Sequence, residues 1–146
     1  MADVFQQKFH VRWSDLDPNM HLRHTAYNDM CAATRFSFLN SLGFTMDKFR
    51  ELKMGPIIFS ENLNYMAEVL PGDHVIVNVR IAGHSEKGHK WRMFQEMFRA
   101  SDNKLAATLT IEGAWFDLVN RKVTMPPDEL QSRIDEMPKT DNFQII

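Results

Sequence analysis

Residues Asp15–Tyr27, with the sequence DLDPNMHLRHTAY, bring two carboxylates, two histidines and an asparagine into one short polar segment. Carboxylate and imidazole groups can serve as nucleophiles or as general acids and bases. The segment comes directly before a stretch with helical periodicity, and the start of a helix offers unpaired N–H groups that can hold a carboxylate or a developing oxyanion. Asp, Asn and Pro also favour turns for local backbone reasons, and on composition alone turn formation is the favoured explanation.

Two elements must position this segment. Before it, Phe9, Val11 and Trp13 alternate with polar residues, which predicts a strand. After it, apolar residues recur at three- and four-residue spacing and predict a helix over Thr25–Leu42, ended by Gly43. The apolar stripe of that helix consists of Tyr27, Met30, Cys31, Thr34, Phe38 and Leu42.

The spacing within the segment resembles the N-terminal signature of the hot-dog-fold acyl-CoA thioesterases of the 4-hydroxybenzoyl-CoA thioesterase group. In that group an Arg–aromatic pair ends the first strand, an Asp follows, and a His and an aromatic residue come seven and ten positions after the Asp. The matching residues here are Arg12, Trp13, Asp17, His24 and Tyr27. The same stretch, taken as Asn19, His21 and Tyr27, is also similar to the N-x-H…Y pattern of the related acyl-carrier-protein thioesterases.

The resemblance implies an α+β hot-dog fold, in which an antiparallel β-sheet wraps around a long central helix. It also implies a thioester hydrolase that cleaves an acyl-CoA or an acyl-carrier-protein thioester to a free acid and a thiol. Coenzyme A would enter only as part of the substrate, without a metal or another cofactor.

In that mechanism Asp17 acts as nucleophile or general base, and backbone N–H groups near His24 and Thr25 polarise the thioester carbonyl. His24 could alternatively orient Asp17 or the water, or cap the helix. Many relatives carry a Glu on the central helix about five residues after the aromatic residue, where this chain has Ala32. Asp17 therefore has to carry the chemistry.

The candidate substrate-binding residues come from the same segment and from the next strand, and they are Asn19, His21, Thr25, Tyr27, Phe59 and Glu61. Glu61 interrupts an apolar row, and an inward-facing carboxylate is costly unless it is partnered. It either supplements Asp17, or lies exposed on an edge strand or beside an arginine. Lys87, Lys90 and Arg92 are candidates for binding the phosphates of coenzyme A, with solvated surface charge as the alternative.

The rest of the chain predicts mostly strands. Alternating patterns mark them at Pro56–Met66, His74–Ile81, Lys90–Phe98 and Leu105–Leu118. Short turn sequences rather than helical crossovers separate the four strands, so they should pair antiparallel. Gly113 predicts a bulge or a close backbone approach. Short helices are predicted at Met46–Leu52 and Asp128–Ile134, and the tail after Pro138 lacks periodicity and is expected to be loosely held.

Length and charge limit the remaining possibilities. With 146 residues, 44% of them hydrophobic, the chain is expected to form one domain over residues 1–146. A net charge of −2 with dispersed Lys and Arg argues against nucleic acid as a partner. No apolar run is long enough to span a membrane and no leader is evident, so a cytoplasmic location is expected.

Exposed sheet edges, together with Phe36 pointing away from the helix stripe, predict a homodimer or homotetramer. Cys31 is expected to be a small core residue.

Two other functions stay open. The hot-dog enoyl-CoA hydratases carry Asp, then Asn two positions on and His five positions on. Here Asp17 and Asn19 fit that pattern, but His21 comes one position early. A non-catalytic acyl-binding hot-dog module would leave Asp17 dispensable.

Metal sites and other nucleophiles fit the spacing poorly. Asp15, Asp17 and Asn19 begin like an EF-hand loop, but Met20 and Ala26 stand where that loop needs Gly and Glu, which excludes calcium. His21 and His24 are three positions apart rather than four, so zinc is a weak alternative. Neither Ser14, which lacks a glycine elbow, nor Cys31, which lacks a polar setting, is expected to be a nucleophile.

Overall fold

The structure is a computed structural model and describes residues 3–146. Its helices are α1 (His24–Ser41), α2 (Met46–Leu52) and α3 (Asp128–Asp135), and a 3-10 turn occupies Trp13–Asp15. Its strands are β1 (Phe5–His10), β2 (Met54–Tyr65), β3 (His74–His84), β4 (Lys90–Arg99), β5 (Lys104–Asp117), β6 (Lys122–Val123) and β7 (Lys139–Ile145). In this part of the chain no helix has the length and apolar character needed to cross a membrane.

The strands form one curled sheet around α1. Its central order is β1-β3-β4-β5-β2, with β6 beside β5 and β7 beside β3. All of these pairs are antiparallel except β3 with β7. Because short turns connect β3, β4 and β5, they pair in chain order. The expected α+β hot-dog fold, with an antiparallel sheet around a long helix, is confirmed.

Helix α1 packs its predicted stripe into the core. All six stripe residues are buried, and Cys31 has no exposed surface, as expected for a small core residue. Burial raises the pKa of the Cys31 thiol to about 12. Phe36, which the helical pattern places off the stripe, is 47% exposed. The helix ends at the residue before Leu42, and Gly43 follows with a φ of 88°, as its predicted role as C-terminal cap requires.

The strand predicted before the polar segment was placed too late in the chain. Strand β1 covers Phe5–His10 and pairs with β3, whereas Trp13 begins the 3-10 turn and is 85% exposed. The turn forms because Asp15 accepts hydrogen bonds from both the backbone and the side chain of Arg12, which bends the chain away from the sheet. The alternation through Trp13 is therefore not that of a strand.

The expectation of a loosely held tail is wrong. Strand β7 pairs in parallel with the end of β3, and Ile81 donates its N–H to the carbonyl of Pro138. The tail shows no clear alternation because it lies at an edge of the sheet and most of its side chains are exposed. The close approach depends on Gly83, where a Cβ would lie 2.6 Å from the carbonyl oxygen of Gln144.

Gly113 fulfils both parts of its prediction. It pairs with Ile58 on β2, and the register then shifts so that Phe59 forms a bulge before Ser60. A Cβ at Gly113 would collide with the carbonyl of Ile57 and with the ring of Trp91.

Candidate active site

The two aspartates of the polar segment have different surroundings. Asp15 is 3% exposed, and its carboxylate accepts hydrogen bonds from the backbone N, Nε and Nη2 of Arg12 at 3.0, 3.1 and 2.9 Å. These bonds hold the pKa of Asp15 below its usual value. Arg23 lies nearby, 3.9 Å from the same carboxylate. Asp15 therefore holds the turn together and has little capacity left for a ligand.

Asp17 lies in a second turn and remains accessible. Its Oδ1 accepts the backbone N–H of Asn19 at 2.9 Å, and its Oδ2 lies 3.1 Å from Nδ1 of His21. Its own backbone N–H bonds to the carbonyl of His21, and Met20 closes the turn with a φ of 61°. With 21% of its side chain exposed, Asp17 is fixed in orientation while its carboxylate can still be reached.

His21 has a defined ring orientation. Both acceptors near Nδ1, the carboxylate of Asp17 and the carbonyl of Leu22 at 3.4 Å, require a proton on that nitrogen. In the neutral ring, Nε2 is then free to accept a proton. The contact places an imidazole beside the Asp17 carboxylate.

Helix α1 begins beside this turn with an open end. Its N-cap residue, Arg23, makes no side-chain capping bond. Among residues 3–146 the backbone N–H groups of His24 and Thr25 have no acceptor, because the first turn bonds only from Ala26 onward. Leu22 anchors the approach to the helix by donating its N–H to Val69. The free N–H groups and the helix dipole favour negative charge at this point.

A cleft of about 360 Å³ lies between this helix end and the end of β2. Tyr27 and Tyr65 form its aromatic wall, with their rings edge to face at 5.1 Å. The hydroxyl of Tyr65 donates to the carbonyl of His24, and that of Tyr27 to the carbonyl of Ala67, each at 3.4 Å. Burial raises the pKa of Tyr27, which keeps its hydroxyl a donor. The cleft is lined by Asp17, His21, Leu22, His24, Tyr27, Tyr65, Met66, Ala67 and Glu68.

The structure places the predicted site residues in two groups. Asp17, His21, His24 and Tyr27 line the cleft together, with Asn19 and Thr25 beside it in the turn and at the helix start. The two candidates on β2 lie outside the cleft.

Phe59 lies at the β2 bulge and is 56% exposed. Glu61 is exposed on the edge strand and accepts a hydrogen bond from the Nδ2 of Asn28 at 3.2 Å. Glu61 therefore lies exposed on an edge strand, which was one of the alternatives expected from the sequence. Its partner is an amide rather than an arginine. Met30, on the apolar stripe of α1, is 6% exposed and belongs to the core.

Sequence reasoning missed the wall opposite Asp17. Tyr65 and the three residues that follow it line the cleft because the end of β2, at the edge of the sheet opposite β1, lies beside the start of α1. The available signal was Tyr65, an aromatic residue next to Met66 at the end of a predicted strand. Nothing in the sequence indicates that Tyr65 contacts His24.

The basic residues expected to bind phosphates lie elsewhere in the chain. Lys87 and Lys90 belong to the hairpin between β3 and β4, at the end of β3 opposite to the one that meets the polar segment. Arg92 is paired with Glu112 at 2.7 Å. These residues are therefore remote from Asp17 in the fold of the chain.

No set of three or more His, Cys, Asp or Glu side chains converges as a metal site within the described range.

Comparisons with known proteins identify the family and the fold. The sequence model of the thioesterase-like superfamily matches residues 11–134, a stretch that includes the whole polar segment. A comparison with curated protein sequences finds no match.

Similar solved structures include a Staphylococcus aureus protein in complex with CoA (TM-score 0.85, 20% identity, covering 91% of this chain and 82% of the other). They also include a 1,4-dihydroxy-2-naphthoyl-CoA thioesterase from Synechocystis (0.81, 19%, 92% and 97%). A third is a gentisyl-coenzyme A thioesterase (0.76, 19%, 88% and 98%). At such identities the likeness establishes a shared fold, and the family match adds the lineage: this chain belongs to the thioesterase-like superfamily and has its hot-dog fold.

Proposed function

We propose that the protein hydrolyses an acyl-CoA thioester and that Asp17 is its nucleophile or general base. The observation that carries the proposal is the position of the Asp17 carboxylate, fixed by Asn19 and His21 and facing the same cleft as the open start of α1. A nucleophilic or basic group and a set of oxyanion donors are the two components that acyl transfer needs.

The free N–H groups of His24 and Thr25 are suited to bind the carbonyl oxygen of the thioester. As a nucleophile or water attacks the carbonyl carbon, negative charge develops on that oxygen, where the helix dipole and the two donors stabilise it. Donors of this kind accelerate acyl transfer by roughly two to three orders of magnitude each.

Asp17 can act in two ways. As a general base it takes a proton from water, the hydroxide oxygen bonds to the carbonyl carbon, the carbon–sulfur bond breaks, and the proton passes to the departing thiolate. As a nucleophile it forms a mixed anhydride with release of the thiol, and water then hydrolyses the anhydride. In ¹⁸O-labelled water under single-turnover conditions, label enters Asp17 only if Asp17 is the nucleophile and water attacks the Asp17 carbonyl of the anhydride, so a labelled Asp17 would exclude the general-base route.

Coenzyme A as the thiol carrier is supported by the solved relatives, one of which binds CoA and two of which are named CoA thioesterases. The tyrosine wall of the cleft suits an apolar or aryl acyl group. An acyl-carrier protein presents the same thioester on a protein, and a parallel assay with acyl-carrier substrates distinguishes the two carriers.

We also propose that the chain assembles through β2. This strand pairs only with β5, and its other edge has no strand partner across the residues that the structure describes. Ile58, Phe59 and Met66 are each more than half exposed at or beside that edge. An exposed apolar edge strand is prone to pair with a second copy, and two β2 strands related by a two-fold axis pair antiparallel.

One observation favours a second candidate function. The contact of 3.1 Å between Asp17 and His21 joins a carboxylate and an imidazole, a pair that can also add water to the double bond of an enoyl-CoA. The histidine reaches Asp17 even though it comes one position early for the hydratase pattern.

The deciding experiment measures thiol release by the purified protein from short, long and aryl acyl-CoAs, with and without a chelator, beside loss of enoyl absorbance with crotonyl-CoA. We expect thiol release from at least one substrate and no effect of the chelator. Enoyl hydration without thiol release would favour the second candidate. Inactivity across the whole panel would leave the non-catalytic acyl-binding module, and activity lost to chelator and restored by zinc would overturn the mechanism.

A further inference from the structure

Two histidines stand opposite each other where strands β1 and β3 meet, outside the Asp17 cleft. His10 is the last residue of β1 and His74 is the first residue of β3, and the two are paired across the antiparallel ladder. The side chains of a directly opposed pair project from the same face of a sheet. The backbones of two strands therefore hold the two imidazoles side by side, and neither residue lines the cleft.

The two rings approach each other through one nitrogen each. Nδ1 of His10 lies 3.3 Å from Nε2 of His74, and the ring centroids are 4.9 Å apart with the planes inclined at 52°. A straight N–H···N hydrogen bond at this separation would place the centroids roughly 5.5 Å apart, because hydrogen bonds prefer a near-linear arrangement. The two rings are therefore inclined toward each other rather than aligned, so a hydrogen bond between them is long and bent.

The separation of the two nitrogens equals that of two ligands of one metal ion. Zinc binds histidine nitrogens at about 2.0–2.1 Å with tetrahedral geometry, so two such nitrogens lie about 3.3–3.4 Å apart. The 3.3 Å between Nδ1 of His10 and Nε2 of His74 falls in that range. His10 is exposed, which gives water access to the remaining coordination positions.

Neither ring has another polar side-chain partner among residues 3–146. The contact between them is the one side-chain hydrogen bond of either imidazole in this range, and the histidines that lie beside carboxylates are His21 and His84. The carboxylate of Asp73, next to His74, is already used. It accepts the backbone N–H of His74 at 2.7 Å, and from Ser101 the backbone N–H at 3.2 Å and the hydroxyl at 2.7 Å. An ion pair with an acid therefore does not explain why the two histidines meet.

We propose that His10 and His74 form a binding site for a divalent transition-metal ion, with water completing the coordination. Imidazole nitrogen suits zinc, copper and nickel, whereas calcium and magnesium prefer oxygen ligands. The bound ion joins the end of β1 to the start of β3, two residues before the arginine that holds the turn at Asp15. The inference goes beyond the proposed hydrolysis, in which the ion takes no part, because neither histidine lines the cleft.

Titration of the untagged protein with zinc tests the site. Isothermal titration calorimetry should show saturable binding of one zinc ion per chain. Zinc should also raise the melting temperature, because the two ligands are brought together only in the folded protein. Calcium at the same concentration should do neither, and copper should bind more tightly than zinc, in the usual order for nitrogen ligands.

Single substitutions identify the ligands. His10→Gln and His74→Gln each remove one of the two protein ligands. Each should weaken zinc binding by at least roughly ten- to a hundredfold, the scale already seen when only the outer hydrogen-bond partner of a ligand is lost. His89→Gln, in the hairpin between β3 and β4, is the matched control and should bind zinc as the wild type does, since the His89 ring bonds to Ser85 instead. If His74→Gln does not fold, as judged by its melting curve, His10→Gln at the exposed end of β1 still provides the test.

NMR of the imidazole rings locates the bound ion. Zinc should shift the ring resonances of His10 and His74 and leave those of His21 and His24 unchanged. Three outcomes would overturn the proposal: no saturable zinc binding, wild-type zinc affinity in a folded His10→Gln, or ring shifts at His21 and His24 instead. Zinc binding is measured without substrate. Its failure is therefore distinguishable from a failure of the proposed thioester hydrolysis, which the thiol-release assay reports.

Discussion

The Nδ1 of His21 lies 3.1 Å from Oδ2 of Asp17, while the backbone of Asn19 binds the other carboxylate oxygen. His21 thus holds the carboxylate in one orientation without closing the cleft in front of it. We expect His21→Ala to lower kcat by about tenfold. General acid–base catalysis contributes roughly two to four orders of magnitude to the rate, and a carboxylate that is no longer held in orientation loses part of that contribution. KM should change little, and His10→Ala, at an exposed histidine that contacts only His74 in the hydrogen-bond network, is the control. A loss confined to KM would instead make His21 a substrate-binding residue.

Asp17→Asn keeps the size of the side chain and removes its charge. Because neither attack nor proton abstraction is open to an amide, we expect the rate constant for thiol release to fall by roughly two to four orders of magnitude with a normal melting temperature. Full activity of this variant would exclude the proposed mechanism.

Asp15→Asn should mainly affect stability. The Asp15 carboxylate is buried and bonded three times by Arg12, so we expect a loss of about 1–3 kcal/mol in the free energy of unfolding. Since folding lowers the pKa of Asp15 from 3.8, its ionised form stabilises the protein above that pH and the benefit disappears as the pH falls further. Urea unfolding at neutral and at acidic pH should therefore show wild type and variant converging in acid. Convergence at neutral pH would contradict a stabilising role.

Gly113→Ala should destabilise the sheet. The added methyl group would meet the Ile57 carbonyl and the Trp91 ring, and overpacking of this kind costs about 1–3 kcal/mol. Gly55→Ala is a matched control on the partner strand, because a Cβ there has no atom within 4 Å. Denaturant midpoints compare the two, and equal midpoints would show that the bulge relaxes freely.

Phe59→Lys should separate the subunits. A lysine at the exposed bulge of β2 places a charge at the edge that we propose to be paired, and charged edge residues oppose strand pairing. Light scattering should show wild type as a homodimer or homotetramer and the variant as a smaller species. Val119→Lys, at an exposed position in the turn after β5, should keep the wild-type mass. A monomeric wild type at micromolar concentration would refute the proposed assembly.

Much of the fold could be predicted because its local patterns agree with its tertiary structure. The stripe of α1 is buried as its spacing indicates, and α2 has the predicted boundaries, with Thr45 accepting the N–H of Lys48 at its start. Strands β3, β4 and β5 begin at or within one residue of their predicted starts, and buried residues alternate with partly buried ones along most of β4.

The errors lie where tertiary contacts override local pattern. Trp13 continues an alternating pattern, but the bonds of Asp15 to Arg12 bend the chain first. Strand β7 has no clear alternation because most of its side chains are exposed at the edge of the sheet, although Phe143 packs against the core. For the candidate site, the spacing of the residues identified the turn around Asp17. Tyr65, on the opposite wall, lies 41 residues after His24 and belongs to a different element. No local signal encodes that distance.

Strands β1 and β7 share one edge of β3: Phe5–His10 covers its first half and the end of β7 covers its last residues, around Gly83. During synthesis, β1 is made first and can pair as soon as β3 emerges, but β7 follows only after β4, β5 and α3. The second half of that edge therefore stays open while most of the chain is already able to fold, and an open edge can capture a strand of another nascent chain. Closure of the sheet by a short parallel strand therefore protects this edge only after β4, β5 and α3 have been made.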